Sequence, residues 1–202
     1  NIIGRNRAFW VPIYKKVQEM FPSQLAQVDL DQFVEAVNKV TPGLIRTEAD
    51  ELSYSLHVLI RYEIEKMLIE EDLDVEKLPR LWADKYEEYL GVRPENPAEG
   101  VLQDIHWSQG SFGYFPSYAL GSAFGVQLYY HMKEIMDFDS LLKDGRVDVI
   151  RDYLREHIHQ YGKLKDSRQI LKDVTGEDFN PEYYVRYLKE KYSRLYGLES
   201  KG

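Results

Sequence analysis

No cysteine occurs among the 202 residues of the chain. That excludes disulfides and thiolate metal ligands, argues against a disulfide-built extracellular scaffold and favours a cytoplasmic protein. No apolar run approaches the roughly 18 residues that a membrane span needs, and no signal-peptide pattern opens the chain. Positive charge is not in excess either. The 26 Lys and Arg face 34 Asp and Glu, for a formal net charge of -8, which disfavours electrostatic capture of nucleic acid. Internal repeats and low-complexity tracts are missing. So is His-Glu-x-x-His, the helical motif that sets two imidazoles one turn apart on a single face. The five histidines are His57, His106, His131, His157 and His159. His157 and His159 are two apart on an expected helix, so their side chains diverge, and the sequence offers no metal ligand set.

What is present reads as helix. Hydrophobic residues make up 44% and charged residues 30%, a balance suited to one helical domain or to part of a larger one. The opening Asn1-Ile2-Ile3 carries no cap or leader, as expected of a chain that starts inside an element. Leu52, Leu56, Ile60, Ile64 and Met67 follow three- and four-residue steps, which predicts a helix from about Ile45 to Glu70, ending at the acidic cluster Glu70, Glu71 and Asp72. Asp29 and Gln32 have capping-box spacing ahead of Phe33 and Val37. Leu78, Trp82, Tyr86 and Tyr89 give another apolar face, closed by Gly91. Pro116 suits a first helical turn before a long helix from Tyr118 to Met136, and Val147–Ile158 and Pro181–Leu195 complete the set. The 16 tyrosines read mostly as packing residues with a wet hydroxyl. Glu63, Glu65 and Lys66 read as a solvated helix face.

The segment least like a helix carries the chemistry. Gly91–Gly113 contains Pro94, Pro97, Gly100 and Gly110, and runs into the aromatic stretch Phe112–Tyr118. His106 and Tyr114 in this region are suited to donate hydrogen bonds to a developing oxyanion. The bland alternative makes Trp107 and Phe112 packing plugs and leaves His106 on a backbone carbonyl. Arg46 falls at or just before the start of the expected long helix, where the macrodipole disfavours a cation. Either it pairs with Asp50 one turn on, or its guanidinium is held out to grip a carboxylate. His57 reads as a structural histidine.

LIRTEAD (Leu44–Asp50) and GVLQDIHW (Gly100–Trp107) resemble two signature motifs of the carboxypeptidase Taq family, Ile/Val-Arg-x-x-Ala-Asp and Gly-x-x-Gln-Asp-x-His-Trp. GRNRAFW (Gly4–Trp10), GSFGYFPSY (Gly110–Tyr118) and LKEKY (Leu188–Tyr192) are similar to the same family, so the resemblance covers essentially the whole chain. It implies an all-α, zincin-like, groove-containing metallopeptidase that removes C-terminal amino acids one at a time with broad specificity, and commonly a homodimer. Zinc in that family is held by His-Glu-x-x-His and by a glutamate of a following His-Glu-Ser/Gly-Gln segment. Neither is in this chain, which therefore resembles the C-terminal part of such an enzyme, one helical region completed by the N-terminal part.

Carried over residue by residue, the resemblance implies that Arg46 binds the free carboxylate of a peptide substrate and that His106 faces the metal centre. Tyr114 corresponds to the tyrosine that acts on the scissile carbonyl, with Tyr118 as the second candidate. Gln103 and Asp104 are expected to hold the loop behind these groups, with Asp50 supporting Arg46. The chain alone is expected to be inactive and to leave apolar surface exposed. The competing expectation is a non-catalytic helical binding or assembly module derived from such an enzyme.

Overall fold

The computed structural model describes residues 1–71 and 73–198. Among them there is no strand, and the helices are α1 (Arg7–Trp10), α2 (Tyr14–Met20), α3 (Pro22–Leu25), α4 (Leu30–Val37), α5 (Tyr54–Glu70), α6 (Leu78–Leu90), α7 (Pro116–Ile135), α8 (Phe138–Lys143), α9 (Val147–His157), α10 (Ser167–Thr175) and α11 (Glu182–Leu195). No helix among the described residues is long and apolar enough to cross a membrane. Asp72, the last member of the acidic cluster after α5, lies outside the described residues.

The chain groups into two compact units. One is Asn1–Asn38 with the described residues of Ser122–Gly202, and the other is Lys39–Gly121. The first is built around Ala8, Val126, Tyr129, Met132, Phe138, Leu142, Ile150 and Tyr187. The capping box at the start of α4 forms as expected. Asp29 accepts from the Gln32 amide, and the Gln32 side chain accepts from the Asp29 amide. The buried Gln127 of α7 donates to the Asp178 carbonyl at 3.0 Å and accepts from the Asn180 amide at 2.9 Å, which fixes the turn leading into α11. Tyrosines act as the composition suggested: the hydroxyls of Tyr130 and Tyr183 bond Glu190 and Glu177 while their rings pack on the core.

The second unit is organised by α5 and α6. Their facing residues Ile60, Ile64, Trp82, Tyr86 and Leu90 form its core. His57 opposite Tyr86 and Arg61 opposite Trp82 show that the two helices run antiparallel. Gly91, at φ 68°, takes the left-handed conformation that ends α6, a geometry costly for any residue with a Cβ.

The expected start of the long helix is corrected. Arg46–Glu48 form one separate 3-10 turn, ended by Ala49 in extended backbone, and α5 begins only at Tyr54. Asp50 is the reason. Its carboxylate accepts the amides of Thr41, Leu52 and Ser53 and the Ser53 hydroxyl, all between 2.8 and 3.0 Å. These local bonds fold residues 50–53 into a turn and compete with the helical ladder.

Candidate active site

All of the residues expected to carry chemistry lie in Lys39–Gly121, and Asp104 is where they converge. Arg46 donates from Nη2 to Asp104 Oδ1 at 2.8 Å and from Nε to Oδ2 at 3.4 Å. Arg61 donates from Nε to the same Oδ2 at 2.5 Å. Burial would lift the Asp104 pKa, but the hydrogen bonds and charges of Arg46 and Arg61 outweigh it and hold the carboxyl below its usual range. Asp104 is therefore an ionised acceptor between two guanidiniums.

The Arg46–Asp50 ion pair is not the one that forms, because Asp50 is occupied by its own turn and Arg46 pairs with Asp104. Nor is the guanidinium held free. Its Nη1 also donates to the Tyr54 hydroxyl at 3.4 Å, so three of its five N–H donors are engaged. One N–H on each terminal nitrogen is left for a ligand. The guanidinium lies 4.9 Å from the Tyr118 ring centroid and 5.8 Å from that of Phe115, which restricts its orientation.

Behind this pair lies a fully buried polar layer. Arg61 and His57 are 0% exposed. The Nη1 of Arg61 donates to the His57 carbonyl at 2.8 Å and to the Tyr86 hydroxyl at 3.0 Å. Tyr86 accepts from Arg61, so its own proton can go to His57 Nδ1, 3.0 Å away. A neutral imidazole can accept that proton at Nδ1, with its Nε2 buried and without a partner among the described residues. Burial first, then the charges of Arg61 and Arg46, lower the His57 pKa to about 4. The structural reading of His57 fits this geometry.

His106 stands on the other side of Asp104. Its Nδ1 is 3.6 Å from Asp104 Oδ1, and its Nε2 is 3.2 Å from the Tyr118 hydroxyl. The Tyr114 ring stacks on the imidazole at 5.7 Å and meets the Tyr118 ring edge-on at 5.3 Å. Tyr118, the second candidate from sequence, is thus the phenol bonded to His106. Tyr114 is half exposed, contributes its ring face to His106 and hydrogen-bonds the Tyr118 side chain. Phe115, 1% exposed, fills the space between His106 and the two guanidiniums.

The loop that presents His106 is pinned to α5 by Glu65, which is 7% exposed. Glu65 accepts the Trp107 indole N–H at 2.8 Å and also the Gly113 amide. Reading Glu65 as part of a solvated face was wrong, because a carboxylate can be buried when two donors reach it. Glu63 too is half-buried, 2.7 Å from the Lys85 ammonium and 2.8 Å from the Tyr89 hydroxyl. Lys66 is on the surface as expected. Gly110 and Gly113, at φ 75° and 74°, supply the left-handed turns that return the chain from Trp107 to α7.

Gln103 bonds within its own loop, donating to the Glu99 carbonyl. Leu102, Ile105, Phe112 and Tyr114 remain exposed around the loop, in line with the expected apolar surface. Of the residues that build this cluster, Tyr86 reads in the sequence only as apolar packing and Glu65 only as solvated, and Arg61 and Phe115 have no role of their own there. One signal was available: His57, Arg61 and Glu65 recur every four residues along α5 and so share one face of the helix. Among the described residues no group of three or more His, Asp or Glu could hold a metal ion.

The chain matches the family model described as Carboxypeptidase Taq (M32) metallopeptidase over residues 1–192. It is 51% identical over 199 residues to Carboxypeptidase 1 of Bacillus subtilis, covering 98% of this chain and 40% of that protein. To Thermostable carboxypeptidase 1 of Thermus thermophilus it is 40% identical over 198 residues, covering 98% of this chain and 39% of that protein. A solved carboxypeptidase from Deinococcus radiodurans superposes with a TM-score of 0.94 at 34% identity, over 98% of this chain and 40% of that one. The Pyrococcus furiosus carboxypeptidase structure gives 0.91 at 41%, over 95% and 39%. The chain thus spans about two fifths of the length of the curated relatives it matches.

Proposed function

The chain belongs to the carboxypeptidase Taq metallopeptidase family, and we propose that it supplies the substrate-carboxylate and carbonyl side of a carboxypeptidase active site. The observation that carries this reading is the Arg46–Asp104–His106–Tyr118 cluster. It gathers an arginine with two N–H donors left for a ligand and a histidine-bonded phenol in one place.

A carboxypeptidase must recognise the free terminal carboxylate of a peptide, and a partly desolvated guanidinium does so with charge-assisted hydrogen bonds. Asp104 holds the guanidinium by one edge and so aims its remaining N–H groups. Next to it, the Tyr118 hydroxyl is the donor for the carbonyl oxygen of the last peptide bond as negative charge develops there. His106 orients that hydroxyl through Nε2, and Tyr114 walls the imidazole. On this reading the divalent metal of the family, zinc, is held by residues this chain does not supply, and broad specificity follows from gripping the carboxylate rather than a side chain. The homodimer comes to this reading from the family, and the cytoplasmic setting from the lack of cysteine.

The test is Arg46→Ala in the intact enzyme, with peptide turnover and metal content measured together. Turnover falls while metal content stays at the wild-type value. Undiminished turnover refutes the carboxylate assignment. An intact polypeptide without any peptidase activity supports the competing non-catalytic module instead.

A further inference from the structure

We infer that Arg61 is a positioning residue for carboxylate recognition: by pairing with Asp104 from its second side, it leaves the charge of Arg46 uncompensated and available to an anion. The inference rests on the reading that Arg46 binds the terminal carboxylate of the substrate.

A lone Arg46–Asp104 pair would be electrically neutral and would present an incoming carboxylate with a carboxylate of its own. The second guanidinium changes that balance. Arg46 and Arg61 share one carboxylate, so the trio carries one net positive charge. His57, neutral with its pKa near 4, adds none at neutral pH. Asp50 is buried nearby, but its carboxylate is surrounded by four donors, three from its own turn and the amide of Thr41. Glu65 is directed at Trp107 and Gly113.

The way Arg61 is held fits a role acting through Asp104 and not through direct contact with a ligand. It is 0% exposed, so no substrate reaches it. Its guanidinium lies 4.6 Å from the Trp82 ring centroid and 5.6 Å from that of Phe115. Its Nη1 is tied to the His57 carbonyl and the Tyr86 hydroxyl. Only Nε is directed at Asp104, and the rings and hydrogen bonds fix that aim. The Nη2 of Arg61 is buried without a partner among the described residues, so this charge is held at a cost to stability. An apolar side chain of similar length would fill the same space between Trp82 and Phe115 without charge.

The experiment is a KM and kcat comparison in the intact enzyme on one peptide substrate, with Arg61→Met, Arg61→Lys, Asp104→Asn and the Arg61→Met/Asp104→Asn pair. Arg46→Ala is the reference. Arg61→Met leaves Arg46 in a neutral pair and raises KM about tenfold, with kcat less affected. Arg61→Lys keeps the charge and holds KM within about threefold of wild type. Removing the Asp104 charge as well restores a positive site, so the double variant has a lower KM than Arg61→Met alone. A packing role predicts otherwise: Arg61→Lys as harmful as Arg61→Met, and no recovery in the double variant. That pattern overturns the inference. If Arg61→Met does not fold, Arg61→Lys and Asp104→Asn decide: both keep net positive charge at Arg46, and a large rise in KM in Arg61→Lys alone refutes the role. If Arg46→Ala leaves KM unchanged, the carboxylate reading itself fails and takes this inference with it.

Discussion

Arg46 Nη2 and Asp104 Oδ1 lie 2.8 Å apart across 58 residues of sequence, which locks the two family-like motifs of the chain to each other. Asp104 needs both of its guanidiniums to be tolerated where it is, since an ionised carboxylate with 13% side-chain exposure has little water to solvate it. Conversely, each guanidinium depends on Asp104.

Replacing Asp104 by Ala therefore leaves two buried guanidiniums facing each other without an anion. We expect a loss of about 3–5 kcal/mol in folding free energy, seen as a lower urea midpoint with an unchanged slope. A loss no larger than that of a typical surface substitution would mean that the pair contributes little to holding the loop.

His57 predicts a pH dependence. Its pKa is about 4 in the folded chain, depressed by burial and then by the charges of Arg61 and Arg46, against roughly 6.5 in an unfolded one. The unfolded state therefore binds the proton first. The contribution is fully present above pH 6.5 and is lost as pH falls toward 4, with a slope reaching about 1.4 kcal/mol per pH unit. His57→Gln flattens the denaturation-midpoint profile across that window. Parallel profiles for the two proteins would contradict the assignment.

Glu65 predicts a local effect. Glu65→Gln can no longer accept from both the Trp107 indole and the Gly113 amide with ionised oxygens. The cost is on the order of 1–3 kcal/mol, and amide exchange at Gly113 accelerates while Ile60 and Ile64 stay protected. Equal acceleration in α5 would show global destabilisation instead.

The two phenols should separate in the intact enzyme. Tyr118→Phe removes the hydroxyl bonded to His106 and lowers kcat by roughly a hundredfold. Tyr114→Phe keeps the stacked ring and costs much less. The reverse order would return the carbonyl role to Tyr114.

Much of this was legible in the sequence, and the exceptions have a common cause. Gly91 closes α6 and Asp29 with Gln32 caps α4 because caps are local, written within a few residues. The same logic held for α10, where Asp166 accepts from the Gln169 amide and Gly176 ends the helix in left-handed conformation, although its short apolar pattern gave no prompt to look. Arg61 and Glu65 were hidden for another reason. A polar residue on a helix reads as solvated until its partner is known, and their partners arrive from a loop 43 and 42 residues away. Apolar periodicity also extended α5 backward through Leu52, because it cannot register that Asp50 would take the amides the helix needed. The motif residues were found, but their pairing was not.

Recognition of a terminal carboxylate is the role proposed for the Arg46 cluster. Its most direct test is the inhibition constant of a matched peptide pair, free acid against C-terminal amide, in the intact enzyme and its Arg46→Met variant. The wild type is expected to prefer the acid by roughly a hundredfold, and the preference to collapse in Arg46→Met. An acid preference that persists undiminished in the variant would contradict it.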